Sequence, residues 1–145
     1  MDTPKLAPAD AKVAALKALE SLMPPFISLA TLGPDGSPDL RMMALAARDG
    51  IGTLWFGTST ESKKFAQLKT DPRAVVFGYD ASSMREFRLF GKIELLNDPA
   101  SRRKIWHDDF LGYFPDGVDS PNLVVLKLTV ERGEYASVDA GVGTF

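Results

Sequence analysis

The stretch Thr58-Ser59-Thr60-Glu61-Ser62-Lys63-Lys64 sets a run of hydroxyls directly ahead of two adjacent lysines. It follows Leu54-Trp55-Phe56-Gly57, which reads as a strand, and it leads into a short helix ending at Asp71-Pro72. A helix N-terminus offers unpaired backbone N–H groups and the positive end of the dipole, which together suit an anion. Ser62, Lys63 and Lys64 add a donor and two cations within the first turn. The dipole opposes lysines there by roughly 0.3–1 kcal/mol each, and a bound phosphate would account for them. The plain alternative is a solvated surface helix. On the residues alone both readings stay open.

Arg41 poses a similar choice. Its same-face neighbours on the strand Leu40 to Ala47 are Asp39, Met43 and Leu45. An arginine in such a setting either snorkels to a barrel rim or reaches a buried anion. If Arg41, Lys63 and Lys64 act together, the ligand has an anionic end and a large apolar body. Met42, Met43, Phe56 and Gly57 would then flank a flat ring, with Gly57 admitting close backbone approach.

Other chemistry-bearing residues form weaker patterns. His107, the only histidine, sits between Trp106 and Asp108-Asp109. It reads as an acid/base candidate or, more plainly, as an exposed helical histidine. The acidic pair lacks a third ligand at convincing spacing, so no metal site is expected. Ser82-Ser83 has no base at readable spacing. Trp106, Tyr113 and Phe114 read as core or interface aromatics.

The 145 residues carry 17 Lys+Arg against 19 Asp+Glu, a net charge of −2. That balance argues against nucleic acid as a partner. The absence of Cys excludes disulfides and thiolate chemistry. No apolar run approaches the roughly 20 residues of a membrane helix, and the N-terminus shows no secretory pattern. A cytoplasmic address is therefore expected.

The elements that must position these residues are read from periodicity and turn signals. A flexible lead spans residues 1–9. A helix capped by Asp10 runs to about Met23. Strands follow at Phe26–Leu32, Leu40–Ala47 and Ile51–Thr58, with Gly33-Pro34-Asp35-Gly36 and Asp49-Gly50 as turns. A helix over Thr60–Lys69 opens on the T-x-x-E spacing of Thr58 and Glu61. Strands at Ala74–Tyr79 and Arg85–Leu96 come next, with Gly91 marking a bend or bulge. Asp98 caps a helix with Pro99 at its first position, running to about Phe110. A loop over Gly112–Asn122 leads to a last long strand at Leu123–Val130. Glu134–Asp139 adds at most a short strand, and residues 140–145 form a loose tail. Tight turns favour antiparallel pairing, so the fold class is mainly β (α+β). We expect one domain over residues 10–139, a six-stranded antiparallel split β-barrel with flanking helices.

In order and spacing, the pieces resemble the flavin-binding split-barrel family typified by pyridoxamine 5′-phosphate oxidase, in particular its bacterial general-stress branch. The matching residues are Phe26 to Thr31, Asp35-Gly36-Ser37-Pro38, Arg41-Met42-Met43, Leu54 to Thr58 and Ser62-Lys63-Lys64. They continue through Asp71 to Val75 and Phe90-Gly91-Lys92-Ile93-Glu94 to Trp106 through Lys127. The resemblance implies a homodimer with FMN, or FAD or another flavin, in clefts at the subunit interface. Arg41, Ser62, Lys63 and Lys64 would hold the phosphate. Met42, Met43, Ala44, Phe56, Gly57 and Thr58 would line the ring and ribityl chain. Glu86 matches a position that reaches the flavin from the partner subunit. The chain departs from the family oxidase at Ala46, where a lysine is expected, and lacks the Arg/His-bearing end that holds vitamin B6. At Ala136 an aromatic of the stress branch is missing. The implied function is a flavin-dependent oxidoreductase of unassigned substrate, using a small-molecule electron donor or acceptor, rather than a true pyridoxamine-phosphate oxidase. The alternative is a non-catalytic flavin carrier or stress sensor.

Overall fold

The computed structural model describes residues 3–145. The elements run α1 (Pro8–Glu20), β1 (Phe26–Leu32), β2 (Pro38–Ala44), β3 (Ala47–Asp49), β4 (Thr53–Ser59) and α2 (Lys63–Thr70). They continue β5 (Arg73–Asp80), β6 (Arg85–Leu96), α3 (Pro99–Ile105), a 3-10 turn (Asp108–Gly112), β7 (Leu123–Ser137) and β8 (Gly141–Thr144). All strand pairings are antiparallel, in the order β2-β1-β5-β6-β7-β4-β3, with β8 added on β7.

The sheet curls because its longest strands bend. Along β6, Phe87, Leu89, Gly91 and Ile93 face inward in strict alternation. The register against β7 shifts between Phe90, opposite Arg132, and Gly91, opposite Val130, which leaves Glu131 as the extra residue of a bulge. The bend brings the two backbones so close that a Cβ at Gly91 would collide with the Thr129 carbonyl oxygen. The main core fills the inside of the curl with Ile27, Leu29, Phe56, Phe87, Leu89 and Leu126, closed by the alanine face of α1. A second core lies on the other side of β4. There Trp55, Ile105, Phe114, Leu123 and Val125 pack under α3.

Several sequence expectations need correction. Instead of six strands, the main path holds seven, with β8 as a short addition. The expected strand Leu40–Ala47 is broken into β2 and β3, and Leu123–Val130 continues unbroken through Glu134 to Ser137 as β7. Residues 1–2 of the expected lead lie outside the described residues, and the described parts of the two ends are tied to each other. Leu6 N–H donates to the Val142 carbonyl and Val142 N–H to the Pro4 carbonyl, both at 2.8 Å, so each end supplies the other's hydrogen bonds. Their pairing is remote in sequence, and a glycine-rich tail carries no hydrophobic alternation to announce it.

The last two corrections concern the helices. α1 begins at Pro8 with Ala7 as its cap, because proline has a helical φ and no N–H to lose at that position. Asp10 lies in the first turn instead. α3 ends at Ile105 and only a 3-10 turn follows. Buried Arg102 holds the intervening loop in place. It donates to the carbonyls of Asn97 at 2.9 Å, Val118 at 3.2 Å and Ser120 at 2.5 Å.

One consequence of the curl is a seam. β2 pairs only with β1, and beyond Trp55 the free edge of β4 has no strand beside it. Among the described residues no ladder joins β2 to β4. α2 spans the gap: Gln67 bonds to Thr31, Asp39 and Arg41 on the β1–β2 side, and Lys64 bonds to Thr58 on β4.

Because Gly91 faces backbone rather than a movable side chain, Gly91→Ala is expected to cost about 3 kcal/mol, the upper end for overpacking. Urea unfolding checks this. A loss under 1 kcal/mol means that the bulge is free to relax.

Candidate functional site

A dense polar cluster lies at the α2 end of the seam. Arg41 rises from β2 with its guanidinium mostly covered. One terminal nitrogen donates to the Leu29 carbonyl at 3.2 Å and Thr31 Oγ1 at 2.7 Å. The other donates to Asp39 Oδ2 and Gln67 Oε1, both at 3.1 Å. Thr31 and Gln67 are 1% and 6% exposed, so these acceptors are fixed from inside the fold. Gln67 turns its amide nitrogen to Asp39 Oδ2 at 3.1 Å, and Thr31 donates to Gln67 Oε1 at 2.5 Å.

The lysines behave differently from each other. Lys63 is exposed and reaches Asp39 Oδ2 at 3.0 Å. Lys64 is half-buried and donates to Thr58 Oγ1 at 3.0 Å. Among the described residues no carboxylate pairs with it. Burial, and then the nearby Arg41 charge, lower its pKa from the usual lysine value. Asp39 moves the other way. Hydrogen bonds from Lys63 and Gln67, aided by the Lys63 and Arg41 charges, outweigh desolvation and bring its pKa down to about 2.

The helix start differs from the expected capping box. Ser62 is the N-cap and its Oγ accepts from Phe65 N–H at 3.3 Å, while Thr58 remains in β4 and bonds Ser62 Oγ at 3.2 Å. Glu61 N–H is taken by Ser59 Oγ at 3.1 Å. The first-turn N–H groups of Lys63 and Lys64 have no carbonyl one turn back to bond, as at any helix start.

The structure brings Arg41, Thr58, Ser62, Lys63 and Lys64 together. The apolar candidates divide. Met42 is exposed on β2, and Ala44 is exposed at its end. Met43 and Phe56 send their side chains into the main core, so only their backbones border the seam. Gly57 turns toward Ile105 and Phe110, each about 2.9 Å from where a Cβ would stand, so its missing side chain makes room for the second core. Glu86 lies apart, opposite Tyr79 on β5, and pairs with Arg88 at 3.5 Å. His107 caps the 3-10 turn, its Nδ1 accepting from Asp109 N–H at 3.4 Å, away from the cluster. Sequence reasoning gave no role to Thr31, Asp39 or Gln67. Asp39 and Gln67 had a signal, since Asp39 shares a strand face with Arg41 and Gln67 stands one turn beyond Lys64. Thr31 had none, because its contact depends on β1–β2 register.

Residues 12–137 match the family model for pyridoxamine 5′-phosphate oxidase. The chain belongs to that family. It is 33% identical over 107 residues to general stress protein 26 of Bacillus subtilis, covering 72% of this chain and 74% of that one. It is 37% identical over 75 residues to the pyridoxine/pyridoxamine 5′-phosphate oxidase of Azorhizobium caulinodans. That match takes in 52% of this chain but only 35% of the oxidase, so the chain spans about a third of the enzyme's length. Among solved structures, a protein related to general stress protein 26 from Clostridium acetobutylicum superposes with a TM-score of 0.82 at 27% identity, over 96% of both chains. A family-related FMN-binding protein from Nostoc punctiforme shares the fold, with a TM-score of 0.66 at 23% identity over 92% of this chain and 86% of that one.

For Asp39 the folded pKa, about 2, lies below its ordinary 3.8. Its ionised form therefore adds stability that is complete above about pH 4 and is lost as pH falls toward 2. Asp71 and Asp80 are depressed into the same range, so the difference curve is the informative one. Urea midpoints from pH 5 to 2 should fall less steeply in Asp39→Asn than in the parent. Parallel curves would show that the carboxylate gains nothing from its neighbours.

Proposed function

We propose that the chain binds a flavin, FMN foremost, along the β2–β4 seam, with its phosphate on Arg41, Ser62, Lys63 and Lys64. One observation carries this reading: a half-buried ammonium, Lys64, stands beside Arg41 without a carboxylate of its own. Partly desolvating a cation next to another cation costs free energy unless an anion joins them. The residues present fit such a ligand. A phosphate takes charge-assisted bonds from the cations and from the helix N-terminus. The unpaired edges of Met42–Ala44 and Phe56–Thr58 offer N–H and C=O groups to a polar ring rim, with Met42 beside them as an apolar cover. The match of residues 12–137 to the pyridoxamine 5′-phosphate oxidase family and the FMN-binding neighbour of like fold support the same reading.

The flavin, when bound, supplies hydride or electron transfer. The protein's share is to grip the phosphate and set the ring against the seam. This makes the chain a flavin-dependent oxidoreductase acting with a small-molecule donor or acceptor, at a cytoplasmic address that rests on the reading of sequence alone. A second reading, a flavin carrier or stress sensor, draws support from the tail. Tyr135 is buried in the main core and Ala136 is small, so neither forms the aromatic wall expected beside a substrate.

A homodimer belongs to the proposal. Register places Leu40, Ala30, Val75, Phe90 and Arg132 in one row across the outer sheet face. Met42, Ser28, Phe77, Arg88 and Glu134 form the next row. Leu40 and Met42 are exposed, and Ala30, Val75, Phe90 and Phe77 set apolar side chains in the middle of these rows, as interface centres do. Glu86 opens the row beyond, where it would reach the flavin of the partner subunit.

Two measurements test these readings. Fluorescence titration should show FMN binding to the purified protein. Lys64→Ala should weaken it by about 1.5–3 kcal/mol, roughly a 10- to 150-fold rise in Kd, with riboflavin little affected. Equal FMN affinity in both proteins moves the phosphate elsewhere. In sedimentation at micromolar concentration, the parent should be a dimer and Phe77→Asp a monomer. A dimeric variant would assign the outer face another role.

A further inference from the structure

We propose that Asp39 is a tethered competitor for the flavin phosphate: its carboxylate holds the cations that the phosphate must take. The inference rests on the flavin reading above and concerns how tightly the same site binds. Asp39 Oδ2 receives three donors, Arg41 Nη2 at 3.1 Å, Lys63 Nζ at 3.0 Å and Gln67 Nε2 at 3.1 Å. Two of these belong to the cationic cradle. Arg41 meanwhile has each terminal nitrogen bonded twice. A phosphate gains those nitrogens only if an existing acceptor withdraws.

The acceptors are not equally able to do so. The Leu29 carbonyl is part of β1, and Thr31 and Gln67 are almost wholly buried. Asp39 alone is charged and reaches solvent, with its side chain 31% exposed. Freed carboxylate is well hydrated, whereas a freed buried hydroxyl or amide would be left without a partner. Withdrawal of Asp39 is thus the least costly opening. It also removes a negative charge from contact with an incoming phosphate, which is itself repelled by the carboxylate in place. Lys64 needs no such exchange. The site therefore has two arrangements, one closed on Asp39 and one closed on phosphate. The competition discriminates between ligands, because riboflavin has no phosphate and does not contest the cations.

The test measures FMN, riboflavin and inorganic phosphate binding to the parent, Asp39→Asn and Asp39→Ser, by flavin fluorescence and calorimetry. Removing the charge should tighten FMN binding about tenfold and strengthen inorganic phosphate binding in the same sense. Riboflavin should change less than twofold, so the FMN-to-riboflavin ratio rises. An unchanged or smaller ratio, with parent FMN binding intact, overturns the competitor role and makes Asp39 a positioning residue for Arg41. Failure of both variants to fold overturns it likewise, because the carboxylate is then structural. Absence of flavin binding to the parent removes the flavin reading itself, and the competition with it.

Discussion

Two like charges at one end of a gap in the sheet organise this molecule's chemistry. Arg41 comes from β2 and Lys64 from α2, and β2 and the outer half of β4 do not pair. Were the barrel closed by a β2–β4 ladder, the backbone groups of Met42–Ala44 and Phe56–Thr58 would be used up, and the cations would have no slot beside them. On the far side of the sheet, the register of β6 against β7 shifts where Glu131 bulges beside Gly91. α2 then holds the two edges at a fixed relation without hydrogen-bonding them together. Gln67 reaches one side and Lys64 the other, from the same helix face.

Burial decides which cation needs a ligand. Lys63 is mostly in water and has Asp39, and such exposed pairs are worth little either way. Arg41 is covered but has acceptors at both terminal nitrogens. Lys64 is covered in part, has one neutral hydroxyl, and feels the arginine. The sequence cannot rank these residues, because Ser62-Lys63-Lys64 is equally basic at both lysines. Their ranking comes from the helix phase set by Ser62 as N-cap, which turns Lys64 inward and Lys63 outward.

Much of the fold was legible because its signals are local. The alternation of Phe87, Leu89, Gly91 and Ile93 identified β6, Gly91 marked the place where β7 bulges against it, and Asp98-Pro99 marked the start of α3. Apart from the helix ends, what was misread depends on contacts far apart in the chain. The terminal segments pair with each other, so their order is invisible in either one. Phe56 belongs to a strand buried on both faces, and period-two reasoning could not say that its ring enters the core while Gly57 receives Phe110. Of the site, the residue types and their approximate company were readable from Arg41 and the lysine pair. Asp39 and Gln67 could be placed by strand face and helix phase, whereas Thr31 emerged only with the register of β1 against β2.

That register also explains why the cluster is stiff on one side and adaptable on the other. Thr31 and Gln67 satisfy one another and Arg41 out of contact with water, so displacing either leaves a buried polar group unpaired. Asp39 and Lys63 stand at the solvent edge, where water replaces any bond they give up. On the proposed reading, a phosphate arriving from solvent would meet the solvent-edge side first and exchange partners there, while the buried half keeps its hold on the guanidinium. Preorganisation of the arginine and accessibility of the site thus come from opposite ends of one hydrogen-bonded group, and neither requires the backbone to move.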